Sequence, residues 1–148
     1  MASAHEHCFS LKFGTKSRCR ILIADDDADV REQVGLLLKT REDFEVCGEA
    51  SNGTEAIERT KQLQPDLVIL DISMPIVDGI EAARIIRKFF PEIRILIFSV
   101  HRSKELVHEA IKAGAAGYVV KSEGQQLLKA IEAILRDGYY AGSTAAYA

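Results

Sequence analysis

Five short apolar runs, each separated from the next by a stretch with helical periodicity, constrain the fold most strongly. They occupy residues 21–24, 44–47, 67–70, 95–98 and 118–120. Between them apolar residues recur every three or four positions, as at Val30, Val34, Leu37 and Leu38. This spacing indicates amphipathic helices. The alternation predicts an α/β fold, a doubly wound five-stranded parallel sheet with helices on both faces.

The ends of the helices follow from capping residues and prolines. Asn52, with Glu55 three residues later, predicts the start of the second helix, and Pro65 predicts its end. The fourth helix is expected to begin near residue 103 and to end at residue 114. Its inward-facing side chains are predicted to be Leu106, Val107, Ala110 and Ile111.

Size and charge narrow the class of protein. With 148 residues, 47% of them hydrophobic, the chain suits one domain with one core. Its formal charge is -3 and no run of Lys or Arg occurs, so composition gives no electrostatic argument for direct nucleic-acid binding. Cys8, Cys19 and Cys47 are odd in number and lack metal-ligand spacing. A cytoplasmic protein that neither spans nor binds a membrane is expected.

The expected domain organisation has three parts. Residues 1–18 are polar and mixed and are predicted to form a disordered N-terminal extension. The folded domain is expected over residues 19–138. Residues 139–148 lose the helical periodicity and gain small residues, which predicts a linker stump or a frayed tail.

Charged and hydroxyl residues follow four of the apolar runs. Asp25 and Asp26 follow the first run, Asp71 the third, Ser99 the fourth and Lys121 the fifth. The carboxyl ends of parallel strands meet at one edge of the sheet, where open α/β sheets bind ligands. We therefore expect these side chains to converge.

Such a cluster predicts phosphoryl chemistry that depends on Mg²⁺. A carboxylate attacks a phosphoryl group well only if a divalent cation relieves the repulsion between the anions. Mg²⁺ suits this role because it accepts few protein ligands and keeps several waters. Asp71 is the predicted nucleophile, Asp25 and Asp26 add negative charge, and Lys121 would hold a phosphoryl oxygen.

Each of these residues also has an ordinary structural explanation. Acids beyond a strand commonly cap helices, and Asp27 and Asp29 are expected to be capping or solvated residues. A lone lysine is usually exposed, and a lone serine is usually a loop hydroxyl. The joint occurrence at four strand ends favours a functional site.

Over roughly residues 20–138 the chain resembles the receiver domain of bacterial two-component response regulators. The matching segments are residues 21–26, 71–79, 98–99 and 113–121. The resemblance implies the flavodoxin-like strand order 2-1-3-4-5. It also implies a signalling switch rather than an enzyme, phosphorylated on Asp71 by a sensor histidine kinase. Direct Mg²⁺ ligands would be Asp26, Asp71 and the backbone carbonyl of Ser73, with Asp25 acting through water.

The resemblance assigns further roles around the phosphorylation site. Ser99 and Tyr118 match the switch hydroxyl and switch aromatic of receivers, and Lys121 matches the phosphate-binding lysine. Phosphorylation would remodel the face formed by the fourth helix, fifth strand and fifth helix. A homodimer is expected through that face or through the first and fifth helices. Ser73 and His101 flank the path of an attacking water and are predicted to set the phosphorylation lifetime; the alternative for His101 is an exposed loop imidazole without such a role.

One position departs from the common receiver pattern. Receivers usually have a cis proline after the lysine, whereas Ser122 stands here, so the peptide could be cis or trans. Serine at this place is similar to the LuxR/FixJ-type (NarL-like) transcription regulators. Contact with DNA would need their helix-turn-helix domain, which these residues lack. A single-domain regulator and an excised receiver both fit.

Three other functions are open to this fold. A phosphohydrolase would use Asp71 as a transient nucleophile, but its general acid would stand where Ser73 is. A flavin-binding module would need glycines and hydroxyls where Asp25 and Asp26 follow the first strand. A degenerate receiver acting as a scaffold would not need the acids, the hydroxyl and Lys121 together.

Overall fold

The computed structural model describes residues 18–142 and confirms the predicted α/β fold. The strands are β1 (Cys19–Ala24), β2 (Phe44–Ala50), β3 (Leu67–Leu70), β4 (Arg94–Ser99) and β5 (Gly117–Val120). The helices are α1 (Ala28–Leu38), α2 (Gly53–Leu63), α3 (Gly79–Phe89), α4 (Lys104–Lys112) and α5 (Leu127–Asp137). All strand pairs are parallel, in the order β2-β1-β3-β4-β5.

Both faces of the sheet are covered by helices, because successive side chains of a strand point to opposite faces. Leu22 and Val68 belong to a buried cluster with residues of α2, α3 and α4. Ile21 and Ile69 belong to a second cluster with residues of α1 and α5. The sheet is therefore apolar on both faces, which explains the nearly continuous hydrophobic runs of its central strands.

Side-chain caps mark the starts of α1, α2, α3 and α4. Asn52 accepts a hydrogen bond from the backbone N–H of Glu55, which confirms the predicted start of α2. At the start of α1, the side chain of Asp27 accepts a hydrogen bond from the backbone N–H of Asp29, so Asp27 is a helix cap. The helix α2 ends at Leu63, and its C-cap residue Gln64 immediately precedes Pro65.

The prediction for Ile111 is wrong. Val107 and Ala110 are buried and Leu106 packs partly against the core, but the Ile111 side chain is 45% exposed. It lies in the last turn of α4, where a surface cavity, rather than a packed element, faces it.

Packed structure continues past Gly138, the last residue of the predicted folded domain. Tyr140 is buried, and its N–H donates to the carbonyl oxygen of Ala116 at 2.8 Å. Its hydroxyl donates to Oε1 of Gln126 at 2.6 Å. Tyr140 therefore packs against the domain through contacts with residues distant in sequence, which helical periodicity does not predict. The predicted N-terminal extension and residues 143–148 lie outside the described residues.

Two further questions from the sequence are answered. Residues 18–142 contain no cis peptide bond, so the Lys121–Ser122 peptide is trans, and a 3₁₀ segment, Lys121–Gln126, follows it. Within the same part of the chain, no helix is both long and apolar enough to cross a membrane.

Two glycines in helices allow a matched test of packing. A Cβ at Gly53 would lie 1.9 Å from the carbonyl oxygen of Val77, whereas a Cβ at Gly35 would meet nothing within 4 Å. We expect Gly53→Ala to lower the free energy of unfolding by about 1 to 3 kcal/mol through overpacking. Gly35→Ala should raise it by about 0.5 to 1 kcal/mol through helix propensity. Urea denaturation measures both, and an unchanged stability for Gly53→Ala would contradict this account of the contact.

Candidate functional site

The register of the sheet brings the acids of two strands side by side. Ala24 pairs with Leu70, so the residues that follow them, Asp25 and Asp71, lie at the same level. Asp71 N–H donates to the carbonyl oxygen of Ala24 at 2.9 Å. Carboxylate oxygens of Asp25, Asp26 and Asp71 lie within 4.8 Å of one another. The predicted convergence of these acids is therefore present in the fold.

An ammonium group lies against the two buried carboxylates. Nζ of Lys121 is 2.8 Å from Oδ2 of Asp25 and 3.5 Å from Oδ2 of Asp71. The residues Asp25 and Asp71 are only 2% and 5% exposed. Since Val120 pairs with Ser99 at the end of β4, Lys121 leaves β5 at the carboxyl edge of the sheet.

Burial and neighbouring charges shift the pKa values of Asp71 and Lys121. Burial raises the pKa of Asp71 above its ordinary value, the negative charge of Asp25 raises it further, and Lys121 partly opposes both. Burial alone would lower the pKa of Lys121, but the hydrogen bond to Asp25 and the charges of Asp71 and Asp25 outweigh it and raise that pKa. The site therefore concentrates negative charge that one ammonium compensates incompletely.

The donor set fits Mg²⁺. Hard divalent cations prefer carboxylate oxygens, and three carboxylates from two neighbouring strand ends supply them. Asp26 is exposed while its two partners are buried, which leaves the cluster open to solvent on one side. An ion there would keep several waters, as Mg²⁺ requires.

His101 links the loops around the acids through three separate groups. Its Nε2 forms a 3.0 Å hydrogen bond with Oγ of Ser73. Its backbone N–H donates to Oγ of Ser99 at 3.2 Å, and its carbonyl oxygen accepts from the Tyr118 hydroxyl at 2.8 Å. Ser99 and Tyr118 are completely buried. The structure therefore joins all four residues that were predicted to switch or to tune the site.

Two further residues support the site: Arg31, which the sequence did not single out, and Gly79, which lies in a segment that matches receivers. Nη1 of Arg31 donates to the carbonyl oxygen of Asp25 at 2.6 Å, and its Nε donates to Glu49 at 2.8 Å. A Cβ at Gly79 would lie 1.9 Å from the carbonyl oxygen of Asp71. The available signals were an arginine in the first turn of the helix after the acids, and a glycine at a helix start. Neither is specific, because both residue types are common at such positions.

Comparison with protein families gives a match over residues 21–132 to the response regulator receiver domain. The chain belongs to this family. The transcriptional regulatory protein LnrK of Bacillus subtilis is 36% identical over 120 residues, which are 80% of this chain and 54% of that protein. The chemotaxis protein CheY of Thermotoga maritima is 44% identical over 102 residues, 69% of this chain and 84% of CheY. The receiver spans about half the length of relatives such as LnrK.

Structural comparison supports the assignment to the LuxR-type subclass. The crystal structure of a LuxR-family two-component response regulator from Aurantimonas sp. SI85-9A1 superposes with a TM-score of 0.81 at 38% identity. The match covers 88% of this receiver and 97% of that chain. The resemblance from the sequence motifs is therefore confirmed at the level of family and fold.

Asp26 and Asp29 are exposed acids on either side of the start of α1, but only Asp26 belongs to the cluster. Mg²⁺ at ten times its Kd should stabilise the wild-type fold by about 1.4 kcal/mol, because the ion binds the native state. We expect Asp26→Asn to lose most of this increment and Asp29→Asn to keep it. Thermal unfolding with and without Mg²⁺ measures the increment, and equal increments in the two variants would contradict the assignment of the ligands.

Proposed function

We propose that Asp71 accepts a phosphoryl group from the phosphohistidine of a sensor kinase in a reaction that depends on Mg²⁺. The single observation that carries this proposal is the gathering of Asp25, Asp26 and Asp71 within 4.8 Å, with Lys121 alongside. A nucleophile, a hard-cation site and a cationic side chain for the phosphoryl group are the components that such a transfer needs.

A carboxylate oxygen of Asp71 attacks phosphorus as the bond from phosphorus to the histidine nitrogen breaks. The proposed direct Mg²⁺ ligands are Asp26, Asp71 and the carbonyl of Ser73, with Asp25 bound through water. The bound ion supplies charge neutralisation between carboxylate and phosphoryl oxygens. Lys121 already contacts both buried acids, so its ammonium can turn to a phosphoryl oxygen with a small movement.

The hydrogen bonds of His101 suggest how phosphorylation of Asp71 would change the conformation of the α4–β5–α5 face. A phosphoryl oxygen near Asp71 would compete with the His101 backbone for the hydroxyl group of Ser99. A shift of Ser99 would move the segment that accepts the Tyr118 hydroxyl. The phosphorylated aspartate thus favours one of two arrangements of the α4–β5–α5 face. A coupling of about 1 to 3 kcal/mol would change the affinity of a partner several-fold to a hundredfold.

The site supports a phosphoacceptor switch better than a phosphohydrolase. Ser73 stands where such an enzyme needs a general acid, and its hydroxyl is hydrogen-bonded to His101. Relatives about twice as long as the matched region include transcriptional regulatory proteins. We therefore propose that this receiver controls transcription through an output domain like theirs, as a soluble cytoplasmic regulator.

Incubation with acetyl phosphate and Mg²⁺, followed by intact-mass analysis, tests the phosphoacceptor. We expect the mass of one phosphoryl group to be added to the wild type, and the gain to be absent in Asp71→Asn or after chelation of the metal. Asp78→Asn is the matched control, because Asp78 lies on the same loop and asparagine preserves its cap on α3. Modification of Asp71→Asn, or none of the wild type, would overturn the proposal.

The Ser73–His101 hydrogen bond predicts a change in the lifetime of the phosphorylated state. A hydrogen bond contributes about 0.5 to 1.5 kcal/mol. Ser73→Ala or His101→Ala should therefore change the dephosphorylation rate by about two- to tenfold, while Mg²⁺ affinity stays nearly the same.

Decay of radiolabelled protein measures this rate. His108→Ala is the control, since His108 is an exposed histidine on α4 away from the pair. Unchanged half-lives in both test variants would remove Ser73 and His101 from this role.

A further inference from the structure

A surface cavity of about 270 Å³ lies at the edge of the sheet opposite the acids. Arg94 and Ile93 line it at the start of β4, together with Arg87 from α3, Ile111 from α4, and Gly114 and Tyr139 near the ends of α4 and α5. Cavities that bind drug-sized ligands begin at about 300 Å³, so this one suits a smaller molecule. No acidic residue is among its lining residues in the described part of the chain.

Arg94 is a partly buried arginine with one nitrogen that lacks a hydrogen-bond partner among residues 18–142. Its Nε is shielded from solvent and has no hydrogen-bond partner in the structure. No ion pair or side-chain hydrogen bond within residues 18–142 involves its guanidinium. Arginine stays protonated at all ordinary pH values, and a shielded donor without a partner is unfavourable. Because Arg94 also lines the cavity, the other N–H groups of its guanidinium can donate to a carboxylate bound there.

A second guanidinium is held beside the same cavity. Arg87 donates one hydrogen bond, from Nη1 to the carbonyl oxygen of Pro91 at 2.7 Å. Its aliphatic stem packs over Gly114, where a Cβ would lie 2.6 Å from Cγ of Arg87. Gly114 has a backbone φ of +111°, a conformation that residues other than glycine rarely adopt. The absence of a side chain at residue 114 thus allows Arg87 to lie close to the cavity.

The remaining wall is apolar and partly exposed. Ile111 is 45% and Tyr139 is 62% exposed, and both are among the few large hydrophobic side chains that the described surface leaves open. Isolated exposed hydrophobic residues are ordinary, but here two of them flank two cationic groups in one concave site. The cavity therefore offers an anion-binding end and a surface for a flat apolar body.

The geometry points to a binding site for a small organic carboxylate with an aromatic or similarly flat apolar body. Its carboxylate contacts Arg94 and Arg87, and its ring lies against Ile111 and Tyr139. The site is remote from phosphorylation chemistry, because β4 separates Arg94 from Ser99 by five residues, or about 16 Å. Binding can therefore be measured on the unphosphorylated protein, and its failure would leave the proposed function untouched.

Benzoate is the probe, observed by ¹H–¹⁵N NMR on the uniformly labelled chain. Because Nε of Arg94 is shielded, its N–H should exchange slowly and give a visible resonance. We expect benzoate to shift that resonance and the amides around residues 94, 111–116 and 138–139, with a Kd of about 1 mM for a fragment of this size. Benzamide, which lacks the charge, and acetate, which lacks the ring, should each bind at least about tenfold more weakly.

Arg94→Gln should abolish the benzoate shifts, and Arg87→Gln should weaken binding several-fold. Arg136→Gln is the matched control, since Arg136 is an exposed arginine paired with Asp137 and does not line the cavity. Unchanged amide resonances elsewhere show that each variant is folded. Absence of the shifts at about 20 mM benzoate, equal binding of benzamide or acetate, or unchanged binding by Arg94→Gln would each overturn the proposal.

Discussion

The repulsion between Asp25 and Asp71 is the interaction around which this receiver is organised. Two carboxylates that are almost completely buried share one ammonium, that of Lys121. Buried charges destabilise a fold unless they are paired, so such a cluster is a poor way to stabilise a sheet. The presence of this cluster at the edge of a well-packed core is explained if its uncompensated negative charge binds a cation and a phosphoryl group.

The fold was largely predictable because it depends on local patterns. Alternating apolar runs predict the strands and helices, and the meeting of parallel strand ends predicts the convergence of Asp25, Asp71 and Lys121. The order of the strands came from family resemblance, since periodicity does not specify which parallel strands are neighbours. Ile111 and Tyr140 were not predictable, because their exposure depends on the packing of segments distant in sequence.

Backbone groups make the contacts around the site that the sequence could not predict. His101 was singled out for its imidazole, yet its N–H and carbonyl oxygen make the contacts with Ser99 and Tyr118. Any residue other than proline supplies those two groups at this position. The contacts with Ser99 and Tyr118 therefore do not depend on the imidazole, whereas the hydrogen bond to Ser73 does.

The two tight glycine contacts have a consequence for how the loop between β3 and α3 can meet another protein. Gly79 packs against the carbonyl group of Asp71, and Gly53 packs against the carbonyl group of Val77. These two contacts hold the loop between β3 and α3 near both of its ends. This loop presents Ile76, which is 80% exposed and has a left-handed backbone with φ of 71°. A loop held in this way loses little conformational entropy when a second protein covers it. The apolar side chain of Ile76 is thus held in a defined, exposed position on the loop that follows Asp71.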